Sequence, residues 1–139
     1  MMGTGGAVRE RGGFEVLRAC EAIVGNKPLP PGSAHVTTAG SLPFKFAIHC
    51  VAANEGHLTS AAVIRACARN ALLRAAENGC SSVAMPVFGS GHGRFKFDQA
   101  LDAMLEAIRE APASIARVVI AVNEPERAET ARLRLQSNR

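Results

Sequence analysis

The sequence predicts an α/β fold, a three-layer α/β/α sandwich with helices on both faces of a mixed central sheet. Three observations predict it. Short runs of branched apolar residues alternate with longer segments of helical apolar spacing, the signature of layered α/β architecture. The run from Arg117 to Val122 is almost continuously apolar, as a strand covered on both faces requires. Val83 to Phe88 passes directly into Gly89-Ser90-Gly91-His92-Gly93, and a helical pattern opens near Phe97, which reads as strand, glycine turn, helix.

Local signals set the order of elements. Gly3-Thr4-Gly5-Gly6-Ala7-Val8 is expected to form a glycine-rich loop. A helix follows over Phe14–Val24, with Val16, Leu17, Cys20, Ile23 and Val24 on one face and Gly25-Asn26 as its stop. Pro28, Pro30 and Pro31 make a stiff, non-helical connection. Strands over Ala34–Thr38 and Lys45–Ala52 bracket the turn Ala39-Gly40-Ser41-Leu42-Pro43. Ser60 offers an N-cap to the strongest helix of the sequence, which runs to Asn78 with Gly79 at its C′ position. A strand over Ser82–Val87 precedes the central loop, and a helix from Phe97 to Ala111 carries Leu101, Met104, Leu105 and Ile108 on one stripe until Pro112 ends it. After the strand Arg117–Val122, Pro125 opens a last helix to about Leu135. Residues 136–139 are expected to fray.

A chain of 139 residues suits one domain, taken as 1–139, and can bury a core. Hydrophobic content of 47% with 20% charged residues excludes a disordered chain, and no apolar run reaches the about 20 residues of a membrane span. The N-terminus lacks the basic and apolar regions of a secretory signal. Cys20, Cys50, Cys67 and Cys80 show no C-x-x-C spacing, so they read as free, buried thiols in a reducing cytoplasm. The four histidines lack metal-ligand spacing, and neither a metal nor a cofactor is expected. A net charge of +4 suits an anionic ligand. The basic residues are scattered and Trp and Tyr are absent, which argues against nucleic acid as a partner. No membrane partner is expected, and the oligomeric state stays open.

The loop at 89–93 has two readings. Glycines let the backbone bend and approach a ligand, and the unpaired N–H groups at a helix start favour an anion, which makes a phosphate cradle. The alternative is an ordinary βα turn that needs φ > 0. His92 is either a phosphate donor or an exposed turn histidine, and Arg94 either neutralises phosphate or is solvated. His49, in a strand, reads as structural. Asp98 reads as a helix N-terminal charge, and Cys50 lacks a base that would make it a nucleophile. Asn123, like the 89–93 loop, directly follows a strand, and ligands of α/β sheets gather at that edge.

Gly5-Gly6-Ala7-Val8 before a helix, the segment Ala34-His35-Val36-Thr37-Thr38-Ala39-Gly40-Ser41-Leu42-Pro43-Phe44-Lys45-Phe46-Ala47-Ile48-His49-Cys50-Val51, the junction Ala75-Ala76-Glu77-Asn78-Gly79 with Ser82-Val83-Ala84-Met85-Pro86, and Gly89-Ser90-Gly91-His92-Gly93 together resemble a macro domain over nearly the whole chain. The resemblance implies a module that binds ADP-ribose or a derivative such as its acetyl ester or an ADP-ribosylated macromolecule. Backbone N–H groups of Gly5, Gly6, Ala7 and Val8 on one side would hold the diphosphate. Those of Gly89, Ser90, Gly91, His92 and Gly93 would hold it on the other, with Ser90 adding a hydroxyl donor. Charge-assisted bonds are each worth about 1.5–3 kcal/mol, so several would hold a diphosphate without a metal.

The pattern also departs from that family. The family's first strands, with an acidic residue for adenine and an asparagine for the distal ribose, would precede Gly3, so the domain is expected to be N-terminally incomplete and no catalytic residue is assigned. Gly93 stands where many relatives carry an aromatic residue, and Asn123 where many stack Phe or Tyr on adenine; a lost stacking ring forfeits about 1–3 kcal/mol by analogy with base–aromatic contacts. Hydrolysis of an ADP-ribosyl linkage therefore stays open. So does the alternative of a truncated macro fold that serves as an interaction module with weak nucleotide binding or none.

Overall fold

A computed structural model of the chain describes residues 3–25, 28–90 and 95–137. The elements are α1 (Gly3–Gly12), α2 (Phe14–Val24), β1 (Ala34–Thr38), β2 (Phe46–Cys50), α3 (Ala61–Glu77), β3 (Ser82–Met85), α4 (Phe97–Arg109), β4 (Arg117–Ile120) and α5 (Pro125–Ser137). The α/β layering is the expected one.

Helix α3 shows how the sequence builds it. The Ser60 hydroxyl accepts the Val63 amide at 3.2 Å and satisfies one of the open N–H groups of the first turn. Ile64, Cys67, Ala68, Ala71, Leu72 and Ala75 form one buried face. The helix stops where Gly79 takes φ +73°, a conformation that an L side chain resists. The amphipathic α4 lies against α3, with Ile64, Ala68 and Leu72 facing Ala100, Ala103, Met104 and Ala107. Alanines on both faces let the two helix backbones approach closely. On the other side of α4, Leu101 and Leu105 bury Ala131 of α5.

Strands β1 and β2 pair antiparallel, from Ala34↔Cys50 to Thr38↔Phe46, and β3 and β4 pair parallel, from Ser82↔Arg117 to Met85↔Ile120. Both strand senses therefore occur. Among the described residues, however, the strands make two separate two-stranded ladders rather than one continuous sheet. Helix α3 packs on β1, β2 and β3 and bridges the two. The parallel ladder is shorter than the apolar runs suggest, because Pro86 has no N–H to continue it; its last rung is Ala121 N–H to Met85 O at 2.9 Å.

One expectation about the chain ends is corrected. Gln136 and Ser137 belong to α5, where the Ser137 hydroxyl donates to the Leu133 carbonyl at 3.1 Å; Asn138 and Arg139 lie outside the described residues. At the other end, Gly3–Gly12 is helical instead of a loop. The glycines of this segment occupy mainly its first turn, while Ala7, Arg9, Glu10 and Arg11 are good helix formers. Tertiary docking of its last residue adds the rest. The Gly12 carbonyl accepts the Ser41 amide at 2.9 Å, and a Cβ on Gly12 would meet the Ala39 carbonyl oxygen at 3.1 Å.

Candidate functional site

The loop after β3 is built from its anchors inward. Phe88 on one side and Phe95 on the other pack against the core formed by Met85, Met104 and their neighbours, and Phe95 N–H closes onto Gly89 O at 2.9 Å. Gly89 takes φ +79°. A Cβ there would stand 2.9 Å from Ile64 Cδ1 and 3.2 Å from Thr59 Cγ2, so backbone conformation and space both demand glycine. The chain thus leaves the sheet pressed against the first turn of α3.

Ser90 donates its hydroxyl proton to the Val87 carbonyl at 3.0 Å. That bond stiffens the turn and commits the proton that was expected for a phosphate, leaving the oxygen as an acceptor. Gly91, His92 and Gly93, with Arg94, lie outside the described residues. The Thr59 hydroxyl, beside Gly89, is buried and has no hydrogen-bond partner; no sequence pattern marks it, because only the fold sets position 59 against position 89.

Asn123 is exposed in the connection between β4 and α5. Because β3 and β4 are parallel and in register at Met85↔Ile120, Asn123 and the Gly89 loop leave the same edge of their ladder. Gly5 and Gly6 lie near the start of α1, where the N–H groups of the first three helical residues, Gly3 to Gly5, lack intrahelical partners. Ala7 and Val8 lie further along, where the i→i−4 ladder uses their N–H groups. Gly6 also lines an open groove of about 500 Å³ with Arg9, Glu10, Gly13, Phe14 and Leu17. A larger cavity of about 670 Å³ lies between α3 and α4, lined by Arg65, Arg69, Glu106 and Arg109 among others. Its lining contains none of the sequence-predicted site residues.

A polar layer lies beneath α1 and α2. His49 sits 2.7 Å from the buried Thr37 hydroxyl and 3.6 Å from Cys20 Sγ, measured at its Nε2, while Thr37 donates to its neighbour's carbonyl, Thr38 O, at 2.9 Å. Burial foremost, then the positive charges of Arg9 and His35, hold His49 below its ordinary pKa. Burial raises that of Cys20, opposed by Arg9. The pair is therefore neutral imidazole and neutral thiol, unlike the ion pair of a thiol nucleophile. His49 is structural, as its place in a strand suggests; the alternation that puts His35 and Thr37 on one face was the signal that it has polar company. Among the described residues, no group of three or more His, Cys, Asp or Glu is arranged to hold a metal ion.

Comparison with known proteins places this geometry. The family described as Macro domain matches residues 1–104. An uncharacterized protein of Mycobacterium tuberculosis is 37% identical over 122 residues, covering 87% of this chain and 33% of that protein, so the chain spans about a third of the length of its mycobacterial relatives. An O-acetyl-ADP-ribose deacetylase of Enterobacter cloacae is 35% identical over 92 residues, covering 64% of this chain and 51% of that protein. Among solved structures, the Oceanobacillus iheyensis macrodomain with ADP superposes with a TM-score of 0.84 at 24% identity, covering 99% of this chain and 76% of that one. The Trypanosoma brucei macrodomain in complex with ADP-ribose gives 0.84 at 19% identity, covering 97% and 57%. The fold, the family match over three quarters of the sequence and the relatives agree: the chain belongs to the macro domain family.

Proposed function

We propose that the chain binds ADP-ribose or a derivative of it, with the diphosphate against the Gly89 loop and the start of α1. The observation that carries this reading is Gly89 itself. Its left-handed backbone is pressed onto Ile64 and Thr59 at the carboxyl edge of the parallel ladder, an approach that only a residue without a side chain permits. The positive end of α1, with Gly5 and Gly6, is the second anion-favouring element of this proposal. The ligands named for the Oceanobacillus and Trypanosoma macrodomains support the choice of nucleotide.

Hydrolysis is the finer proposal. It is supported by the Enterobacter deacetylase and rests on a substrate-positioned water rather than on His49 or Cys20, which are neutral and engaged with each other. A second reading, an interaction module, is favoured by Phe14, Phe44 and Leu58, exposed by 68%, 63% and 69%. Thermal unfolding of the chain with ADP-ribose, ADP and AMP separates the two. Ligand at ten times its Kd adds about 1.4 kcal/mol of stability, so a rise in Tm is expected with ADP-ribose and ADP and a smaller one with AMP. An unchanged Tm at millimolar ADP-ribose favours the interaction module.

A further inference from the structure

Cys50, the last residue of β2, and Cys67, in the middle of α3, meet where α3 packs on β2. The Cys50 thiol reaches the Cys67 carbonyl at 3.7 Å, and the Cys67 thiol reaches the carbonyl of Val51, the residue after Cys50, at 3.3 Å. Thiols that cross in this way, one to the other's carbonyl and one to the carbonyl just beyond, lie at the same helix–strand contact. We propose that Cys50 and Cys67 are a dithiol that a peroxide oxidises to an intramolecular disulfide, joining β2 to α3.

The surroundings favour this pair over the other thiols. Cys50 is partly exposed and Cys67 is fully buried, so peroxide reaches Cys50 first and the sulfur oxidised there has Cys67 as its neighbour. Cys20 has the His49 ring as its neighbour instead.

The steps balance. The Cys50 thiolate attacks one peroxide oxygen and the O–O bond breaks, giving a sulfenic acid and hydroxide, which takes up a proton to become water. The Cys67 sulfur then attacks the Cys50 sulfur, the S–O bond breaks, and the thiol proton leaves with the hydroxyl as a second water. Two thiols are oxidised by two electrons and one peroxide is reduced. A disulfide needs Cβ atoms about 3.5–4.5 Å apart, and adjacent packing of β2 and α3 makes that separation accessible. Cys67 stands three residues after Ile64, the residue against which Gly89 rests, so the cross-link would anchor α3 one turn from the candidate loop.

The test uses the whole chain carrying Cys20→Ser and Cys80→Ser, treated with hydrogen peroxide under native conditions and then denatured and alkylated. The expected result is loss of both remaining alkylation sites together, an intact mass lower by two hydrogens, a peptide pair linked through positions 50 and 67, and full reversal by dithiothreitol. Adding Cys50→Ser should abolish the reversible mass decrease. Should the double variant not fold, the wild-type chain is mapped in the same way, with the 50–67 linkage expected. Retention of both alkylation sites at peroxide levels that oxidise Cys20 in the wild type would overturn the proposal. So would oxygen addition to Cys50 or Cys67 without cross-linking, or a linkage to Cys20 or Cys80.

Discussion

The Ser41 amide donates to the Gly12 carbonyl at 2.9 Å, which ties the last residue of α1 to the turn between β1 and β2. Gly40, at φ +58°, makes the approach possible, since a Cβ on it would overlap the Gly12 carbonyl oxygen. The orientation of α1, and with it the placement of Gly5 and Gly6, depends on this backbone contact. Gly40→Ala is therefore expected to lose about 3 kcal/mol or more, from a strained φ together with overpacking. Urea denaturation measures the loss, and amide exchange should show it concentrated in α1 and α2. A variant as stable as wild type would mean that α1 is held by something else.

In the loop after β3, Gly89→Ala is expected to cost about 1–3 kcal/mol, because the left-handed conformation is strained and the new methyl presses on Ile64. Affinity for ADP-ribose should fall by at least tenfold while the far-ultraviolet circular dichroism stays native. Pairing it with Ile64→Val tests the geometry. The smaller side chain leaves room for the methyl and should recover part of the stability but little of the affinity, since φ remains wrong for alanine.

The pH dependence follows from His49. Its pKa is lowered in the folded chain, chiefly by burial and then by Arg9 and His35, so the unfolded chain takes up the proton more readily. The stabilising contribution is fully present above the unfolded value of about 6.5 and is lost as pH falls through the lower, folded value. Between pH 7 and pH 5 the Tm of wild type should drop further than that of His49→Gln, which has no proton to gain there. Equal slopes for the two would remove His49 as the source.

Capping gives a prediction that stands apart from the site. Ser60→Ala removes the acceptor of the Val63 amide and should destabilise the chain by about 1 kcal/mol, whereas Ser60→Asp should be nearly neutral. Urea midpoints of the three proteins check the order.

Much of the scaffold was legible because its signals are local. Ser60 and Gly79 bound α3, Pro125 opens α5, and the glycine after Phe88 marks a turn whose φ is indeed positive. What was not legible depends on distant partners. The helical state of Gly3–Gly12 is reinforced by the Gly12 contact to Ala39 and Ser41, nearly thirty residues away, whereas the glycine-rich composition alone points to a loop. The split of the strands into two ladders is likewise invisible in apolar runs, which report burial and not pairing partners. Thr59, with its buried unpaired hydroxyl beside Gly89, carries no motif; only the folded path of the chain brings it there.

The central claim is that the Gly89 loop and the start of α1 hold a nucleotide diphosphate. Isothermal titration of the chain with ADP-ribose tests it most directly. Saturable heat with one site per chain, displacement by ADP, and near-complete loss of the signal in Gly89→Ala are expected. Absence of heat at millimolar ADP-ribose with a natively folded chain, or binding unaffected by Gly89→Ala, would contradict it.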